Sequence, residues 1–138
     1  MPTSPTQRTL ARLRRDGYFA QVVERWNTHA GVRQDLFGFV DVVAIHPSAG
    51  RALLVQATTH PNVSARVRKI VGERAAEARA CLDCGLVVEV WGWRKVGRRW
   101  TATVRRIARG DLDGAGPERS KRSRKQAAKK GMQRELCF

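Results

Sequence analysis

The apolar segment at residues 37–45 constrains the fold of this chain more than any other part of it. Apart from Gly38 and Asp41, every residue in the segment is hydrophobic. A short and almost continuous apolar run predicts a strand that is buried on both faces of a sheet. Residues 46–50 have the composition of a turn, and residues 52–59 predict a second strand. We therefore expect the two strands to form a hairpin at the centre of a sheet.

The remaining elements complete an α/β pattern. In chain order they are a helix at residues 6–16, a strand at 18–26, a polar loop at 27–34, a helix at 61–84, and strands at 86–93 and 99–107. The second helix carries one apolar stripe and is long enough to return the following strand in parallel. The order α-β-β-β-α-β-β predicts a mixed central sheet flanked by helices.

The composition divides the chain into two parts. Residues 1–110 are expected to form a single α/β domain, because they contain all of the predicted helices and strands. Residues 111–138 begin with a linker rich in Gly and Asp and continue as a basic, polar segment. Such a composition predicts a flexible tail.

The charge of the chain indicates the class of partner. The sequence contains 27 Lys and Arg against 12 Asp and Glu, which gives a net charge of +15. A polyanion is the natural partner of such a protein, because contact releases the counterions of the polyanion. The sequence contains no apolar run that could cross a bilayer and no amphipathic basic helix with a bulky aromatic face, so we expect no membrane partner. Three cysteines and the lack of an apolar N-terminal signal predict a reducing, cytoplasmic location in association with DNA.

Asp41 is the most informative single residue, because it interrupts a strand that should be buried. A buried carboxylate without a partner is costly, so Asp41 should either bind a metal or be paired within the protein. Spacing alone leaves both interpretations open. In the second, Asp41 is a structural residue bonded to a nearby arginine or to backbone amides.

The next strand brings polar side chains to the same place. Gln56 and Thr58 follow an apolar run, and alternation places them on one face of the strand. In a hairpin, Asp41 near the start of the first strand can lie beside Gln56 near the end of the second. An acidic residue, a turn and a strand that ends in two alternate polar residues resemble the PD-(D/E)XK nuclease superfamily, and in particular its Holliday-junction-resolvase-like members. The resemblance covers residues 6–93, including the element order.

The resemblance implies a restriction-endonuclease-like core and a metal-dependent endonuclease. Asp41 corresponds to the first catalytic aspartate, Gln56 to the Asp or Glu position and Thr58 to the lysine position of the family motif. Gln56 and Thr58 depart from the family pattern: Gln56 offers a carbonyl oxygen without a charge, and Thr58 does not replace a lysine. The implied cofactor is Mg²⁺ or Mn²⁺, the implied substrate is branched DNA such as a Holliday junction, formed during DNA recombination, and the implied assembly is a homodimer.

Neighbouring residues supply candidates for the missing groups. Asp35 precedes Asp41 by six residues and shares its face if the strand is regular, and Glu24 could add a further carboxylate or be a surface charge beside Arg25. The resemblance allows the catalytic lysine to come from another element, and the candidates for this role are Lys69 and Arg66 on the following helix. The predicted metal ligands are Asp41, Gln56, Asp35 and Glu24. The residues predicted to contact nucleic acid are Arg33, Arg66, Arg68, Lys69, Lys121, Arg122, Arg124 and Lys125.

Several other residues are interpreted as having ordinary structural roles. Cys81 and Cys84 form a single CxxC pair without the second pair that a structural zinc site needs. His29 and His60 stay outside the main assignment. Trp26, beside Arg25, is a better candidate for stacking on a base than the other tryptophans.

Two further functions are compatible with the charge. One is a non-catalytic nucleic-acid-binding protein with a degenerate nuclease fold, and the other is a basic structural protein that compacts nucleic acid. Asp35 and Asp41 favour the nuclease, because a protein that only binds polyanions has reason to avoid carboxylates at its binding surface.

Overall fold

A computed structural model of the chain describes residues 2–113 and the backbone of residues 133–137. The elements are α1 (Pro5–Arg15), β1 (Phe19–Val22), β2 (Arg25–Asn27), β3 (Val32–Gln34), β4 (Val42–Ile45), β5 (Leu53–Thr59), a 3₁₀ turn (His60–Asn62), α2 (Val63–Gly72), α3 (Ala75–Asp83), β6 (Val87–Val96), β7 (Arg99–Arg106), α4 (Arg109–Asp113) and β8 (Gln133–Cys137). The predicted α/β class with a mixed sheet flanked by helices is confirmed.

The main sheet has the strand order β1-β4-β5-β6-β7-β8. β4 and β5 form the predicted antiparallel hairpin, but the predicted strand at residues 37–45 is wrong in its first part, because β4 begins only at Val42 and the residues before it form a turn. β1 pairs antiparallel with β4 on its outer side. β5 and β6 are parallel, so the helical segment between them is the predicted crossover. β6, β7 and β8 continue the sheet in antiparallel order.

Helix α1 covers one face of this sheet. Ser4 caps the helix by accepting a hydrogen bond from the amide of Gln7 at 3.1 Å. Leu10 and Leu13 are buried against apolar side chains of the central strands. The indole Nε1 of Trp93 donates to Thr9 Oγ1 at 2.9 Å, which joins the helix to the sheet by a buried hydrogen bond.

Helices α2 and α3 cover the other face. The prediction of one helix at residues 61–84 is wrong in one respect, because α2 ends at Gly72 and α3 begins at Ala75. Glycine is a weak helix former, which explains the position of the break. The start of this segment lies very close to the sheet: a Cβ atom added to Gly92 would lie 2.1 Å from Val63 Cγ2 and 3.1 Å from the Cα atom of His60.

The predicted strand at residues 18–26 and the predicted loop at 27–34 are both corrected. The chain forms β1 and then leaves the main sheet, and β2 pairs with β3 in a separate two-stranded sheet. Local β-propensity describes a pleated, partly buried surface and does not determine which strand is the partner.

The folded domain continues beyond the predicted boundary at residue 110. Leu112, in α4, is buried in the core on the side of α2 and α3. Arg105 forms a two-pronged ion pair with Asp111, with N–O distances of 2.8 and 3.2 Å. Residues 111–113 are therefore part of the fold and not of a linker. The backbone of residues 133–137 pairs with β7, whereas the composition predicted a flexible tail there. In the described part of the chain, no helix is both long and apolar enough to cross a bilayer.

Candidate functional site

A tight turn at residues 36–40 brings two carboxylates together. Phe37 and Gly38 have positive φ values of 56° and 81°, as in the turns that connect short hairpins. Leu36 and Val40 form an antiparallel bridge with N–O distances of 3.1 and 2.9 Å. Asp35 and Asp41 flank this bridge. The expectation that they lie on one face of a regular strand is therefore wrong, since a chain reversal brings them together.

The side chain of Arg74, at the junction between α2 and α3, packs against the same turn. A Cβ atom at Gly38 would lie 2.4 Å from Arg74 Nε, so the arginine side chain lies directly on the glycine backbone. The turn therefore requires glycine at residue 38 for two reasons, its positive φ and this close contact.

Asp41 is held by the following strand. Its Oδ2 atom accepts a hydrogen bond from the backbone amide of Ala57 at 2.8 Å and from Gln56 Nε2 at 3.2 Å. Asp41 and Gln56 are 5% and 3% exposed, and Thr58 is also buried. The predicted proximity of Asp41 and Gln56 is confirmed.

Glu24 and Asp35 complete a cluster of three carboxylates with Asp41. One oxygen atom from each residue lies within 4.8 Å of the other two. Glu24 precedes β2 and Asp35 follows β3, so both lie at the open end of the β2–β3 hairpin, beside the paired residues Arg25 and Gln34. Arg33 reaches the edge of the cluster, with its Nη1 atom 3.6 Å from Glu24 Oε1.

Burial raises the pKa of the Asp41 carboxyl to about 7. The Ala57 amide opposes this change by stabilising the ionised form, while the charges of Asp35 and Glu24 raise the pKa further. Ionisation of all three carboxylates is therefore unfavourable without a compensating positive charge. Perturbed groups of this kind are common at functional sites.

Gln56 contributes an unsatisfied oxygen beside the cluster. Its Nε2 atom is engaged with Asp41, and its Oε1 atom is buried without a hydrogen-bond donor among the described residues. A buried amide oxygen without a partner costs free energy. Three carboxylates and an amide oxygen form the set of hard oxygen donors that Mg²⁺ or Mn²⁺ accepts, so the residues present fit a divalent cation.

Arg66 and Lys69 are both half-buried on α2, the helix that follows β5 through the 3₁₀ turn. Neither side chain forms a hydrogen bond or ion pair with any residue in the part of the chain that the structure describes. No arginine pairs with Asp41 within residues 2–113. If Asp41 is only a structural residue, it is therefore held by the Ala57 amide and the Gln56 side chain and not by an arginine. Arg68 is exposed on the same helix.

A second group of cations lies beyond the end of the sheet that holds Gln56 and Thr58. From the sequence, this segment was interpreted only as the connection between two strands. β5 and β6 are parallel, with Thr59 opposite Trp93, so the β6–β7 tip projects from the end where Gln56 and Thr58 lie. Its exposed cations are Arg94, Lys95, Arg98 and Arg99. Four cations around a turn glycine are a signal that could have identified this surface.

The histidines, cysteines and tryptophans that stay outside the predicted site have the following environments. His60 Nδ1 lies 3.0 Å from Thr103 Oγ1, and the amide of His29 donates to Asn27 Oδ1 at 3.0 Å. Cys81 is a buried free thiol and Cys84 an exposed one. Trp91 and Trp93 are buried, whereas Trp26 is exposed.

The predicted nucleic-acid contacts in the basic tail stay predictions, because the residues concerned lie outside the described residues: Lys121, Arg122, Arg124 and Lys125.

Comparisons of the chain with protein-family models, with curated proteins and with solved structures found no match.

Proposed function

We propose that this protein is a metal-dependent DNA endonuclease that acts on branched DNA. The observation that carries the proposal is the contact between Asp41 and the Gln56-Ala57 segment, with Glu24 and Asp35 beside it. This contact joins the two halves of the motif that suggested a nuclease. It also places an unsatisfied amide oxygen next to three carboxylates.

The topology supports the proposal. β1, β4 and β5 form an antiparallel meander in the main sheet, and β6 returns parallel to β5 after a helical crossover. The order of helix, three strands, helix and strand is the one that a restriction-endonuclease-like core requires. Asp41 and Gln56 are adjacent where β4 begins and β5 approaches its end, which is where that core would hold its catalytic residues.

Glu24, Asp35, Asp41 and Gln56 would hold the cation. When bound, Mg²⁺ or Mn²⁺ would polarise the scissile phosphate and lower the pKa of an attacking water. The Ala57 amide and Gln56 Nε2 both engage Oδ2 of Asp41 and thereby fix the orientation of its carboxylate. The Asp41 carboxyl also forms a side-chain hydrogen bond with Asp35, a contact that a shared cation would replace.

Cations of the chain would bind the substrate. Arg66 and Lys69 have no acidic partner in the described part of the chain, so either could neutralise charge on a phosphate oxygen. The exposed cations at the β6–β7 tip lie at the same end of the sheet and would hold the backbone of DNA without sequence preference.

The test is cleavage of a labelled four-way junction by the purified protein, with Mg²⁺ and with EDTA. We expect cleavage in Mg²⁺ alone. Asp41→Asn should lower the cleavage rate by about 100- to 1000-fold or more, because it removes a charge at the reacting centre while DNA binding persists. Gln56→Glu adds a ligand charge and should lower the Mg²⁺ concentration for half-maximal cleavage by about tenfold, which corresponds to about 1.4 kcal/mol of binding free energy. An Asp41→Asn protein that cleaves as well as wild type would contradict the assignment.

The alternative is a non-catalytic nucleic-acid-binding protein with the same fold. Thr58 favours it, because a buried threonine occupies the position where the resemblance implies a lysine. In that case the wild type would bind the junction in both buffers and cleave it in neither. A fully inactive protein whose melting temperature does not respond to Mg²⁺ would establish this alternative.

A further inference from the structure

The β2–β3 hairpin connects two of the three carboxylates directly. Its first strand begins one residue after Glu24, and its second strand ends one residue before Asp35. Both ends are fixed at the site: the amide of Val23 donates to the carbonyl of Asp41 at 2.9 Å, and the Leu36–Val40 bridge follows Asp35. The open end of the hairpin is therefore fixed beside the carboxylate cluster.

The hairpin has an ordered tip. Asn27 Oδ1 accepts hydrogen bonds from the amides of His29 and Ala30 at 3.0 and 3.2 Å. The amide of Gly31 donates to the carbonyl of Asn27 at 2.9 Å, and Gly31 has a positive φ of 66°. These hydrogen bonds stabilise the connection between β2 and β3, which pair with each other and with no other described strand.

One face of the hairpin presents an aromatic ring and a guanidinium group to solvent. Trp26 lies opposite Arg33 in the strand register, so the two side chains share a face. Trp26 is 60% exposed and Arg33 is 73% exposed. Within residues 2–113, Trp26 contacts no other ring and no cation face, whereas Trp91 and Trp93 are buried and Trp100 lies under the guanidinium of Arg8. Packing in this fold therefore does not explain Trp26.

Such a pair suits an unpaired nucleotide. A tryptophan ring stacks on the face of any base, and an arginine contacts the adjoining phosphate. A base inside a duplex cannot reach the ring without leaving its stack, which costs free energy, whereas an unpaired base pays little. Trp26 is two residues from Glu24, so their Cα atoms lie at most about 7 Å apart, which is the length of about two stacked nucleotides along one strand.

We infer that the β2–β3 hairpin selects DNA with an unpaired base within about two nucleotides of the scissile phosphate, by stacking that base on Trp26 while Arg33 contacts the backbone. The inference rests on the proposed nuclease function, since it places the hairpin beside the cleaved bond. It specifies the substrate as a junction or fork with unpaired bases, and not an intact duplex.

The experiment compares a splayed duplex with a fully paired duplex of the same length. Affinity is measured in EDTA, so that binding does not depend on cleavage, and a fluorescent adenine analogue in the unpaired segment reports stacking. Trp26→Ala should weaken binding of the splayed DNA by about 5- to 100-fold and abolish the quenching of the analogue, while affinity for the paired duplex stays within about twofold. Trp26→Phe should keep most of both signals.

Two control variants accompany this comparison. Phe19→Ala removes an aromatic side chain that is 70% exposed at the opposite end of β1, and it should change neither affinity. Arg33→Gln should weaken both DNAs alike, because a phosphate contact does not distinguish them. Equal losses for the two DNAs in Trp26→Ala, or no loss, would overturn the inference even if the wild type cleaves DNA. Selective binding through Trp26 without Mg²⁺-dependent cleavage would instead overturn the nuclease and keep the stacking role.

Discussion

The carboxyl group of Asp41 is buried beside two other carboxyl groups, those of Glu24 and Asp35. Its environment provides two hydrogen-bond donors, Ala57 N and Gln56 Nε2, and no arginine or lysine within the described residues. The buried oxygen of Gln56 adds a second unfavourable feature at the same point. One divalent cation would relieve both features, which is why we propose a metal site and not a purely structural role for Asp41.

The first prediction concerns the pH dependence of stability at this residue. The pKa of Asp41 is raised to about 7 from an ordinary value of 3.8, so the folded protein retains a proton that the unfolded chain releases between these values. The stabilising effect of this proton is complete below the unfolded pKa and is lost as the pH rises through 7. In EDTA, the free energy of unfolding should therefore be about 1 kcal/mol higher at pH 6 than at pH 8.

Thermal and urea unfolding at both pH values measure this difference. Asp41→Asn should abolish it and should raise stability at pH 8, since its amide can take the place of the neutral carboxyl between Glu24 and Asp35. Because the variant retains all three histidines, it also controls for their titration. In wild type at pH 8, Mg²⁺ should raise the melting temperature. An unchanged difference between pH 6 and pH 8 in Asp41→Asn would show that other groups are responsible.

At the scale of elements, the site depends on how closely the crossover approaches the sheet. The 3₁₀ turn and the start of α2 pass over β6 at Gly92, where a side chain does not fit. This contact fixes the helix that carries Arg66 and Lys69 relative to the strands that carry Asp41 and Gln56. The turn at residues 36–40 performs the same function for Asp35.

The second prediction therefore concerns Gly92→Ala. Its methyl group would overlap Val63 Cγ2 and press on the backbone of His60, so we expect a loss of about 1–3 kcal/mol in the free energy of unfolding, the usual cost of overpacking. Cleavage should fall as well, because the helix is displaced from the site. Urea unfolding and junction cleavage measure the two effects.

Gly72→Ala provides the matched control. An added Cβ at Gly72 meets nothing within 4 Å, and alanine is a better helix former by about 1 kcal/mol. This variant should be as stable as wild type or slightly more stable. If both variants were equally destabilised, the close approach at Gly92 would not be the reason.

For the whole molecule, positive charge is distributed over several surfaces. The net charge is +15, and the described cations at the candidate site lie on the β2–β3 hairpin, on α2 and at the β6–β7 tip. The carboxylate cluster is a small negative region at the same end of the sheet. A negative site close to positive surfaces is what metal-dependent cleavage of a phosphodiester requires, since the metal offsets the carboxylates and the cations hold the backbone. The homodimer implied by the resemblance stays a prediction.

The third prediction concerns the basic tail. Replacing Lys121, Arg122, Arg124 and Lys125 with Gln should weaken binding to all DNA sequences alike, because phosphate contacts carry no sequence information. Each lost phosphate contact should reduce the slope of log affinity against log salt by about 0.9. Titrations at several salt concentrations measure the slope, and the melting temperature should stay constant. A loss confined to one DNA sequence would contradict this role.

The sequence alone determined the elements with strong local signals and the main candidate residues. Apolar runs predicted the hairpin that contains β4 and β5, and helical periodicity predicted the crossover. The hairpin in turn predicted that Asp41 lies beside Gln56. These features follow from periodicity and turn chemistry, which act within a few residues.

Tertiary structure decided the features that depend on distant partners. The meeting of Glu24, Asp35 and Asp41 requires a hairpin and a strained turn, and the stretch that contains β2 and β3 was predicted to be strand and loop. The raised pKa of Asp41 and the unsatisfied oxygen of Gln56 depend on burial by residues far along the chain. Pairing partners and desolvation are properties of the assembled core, so local propensity could not reveal them.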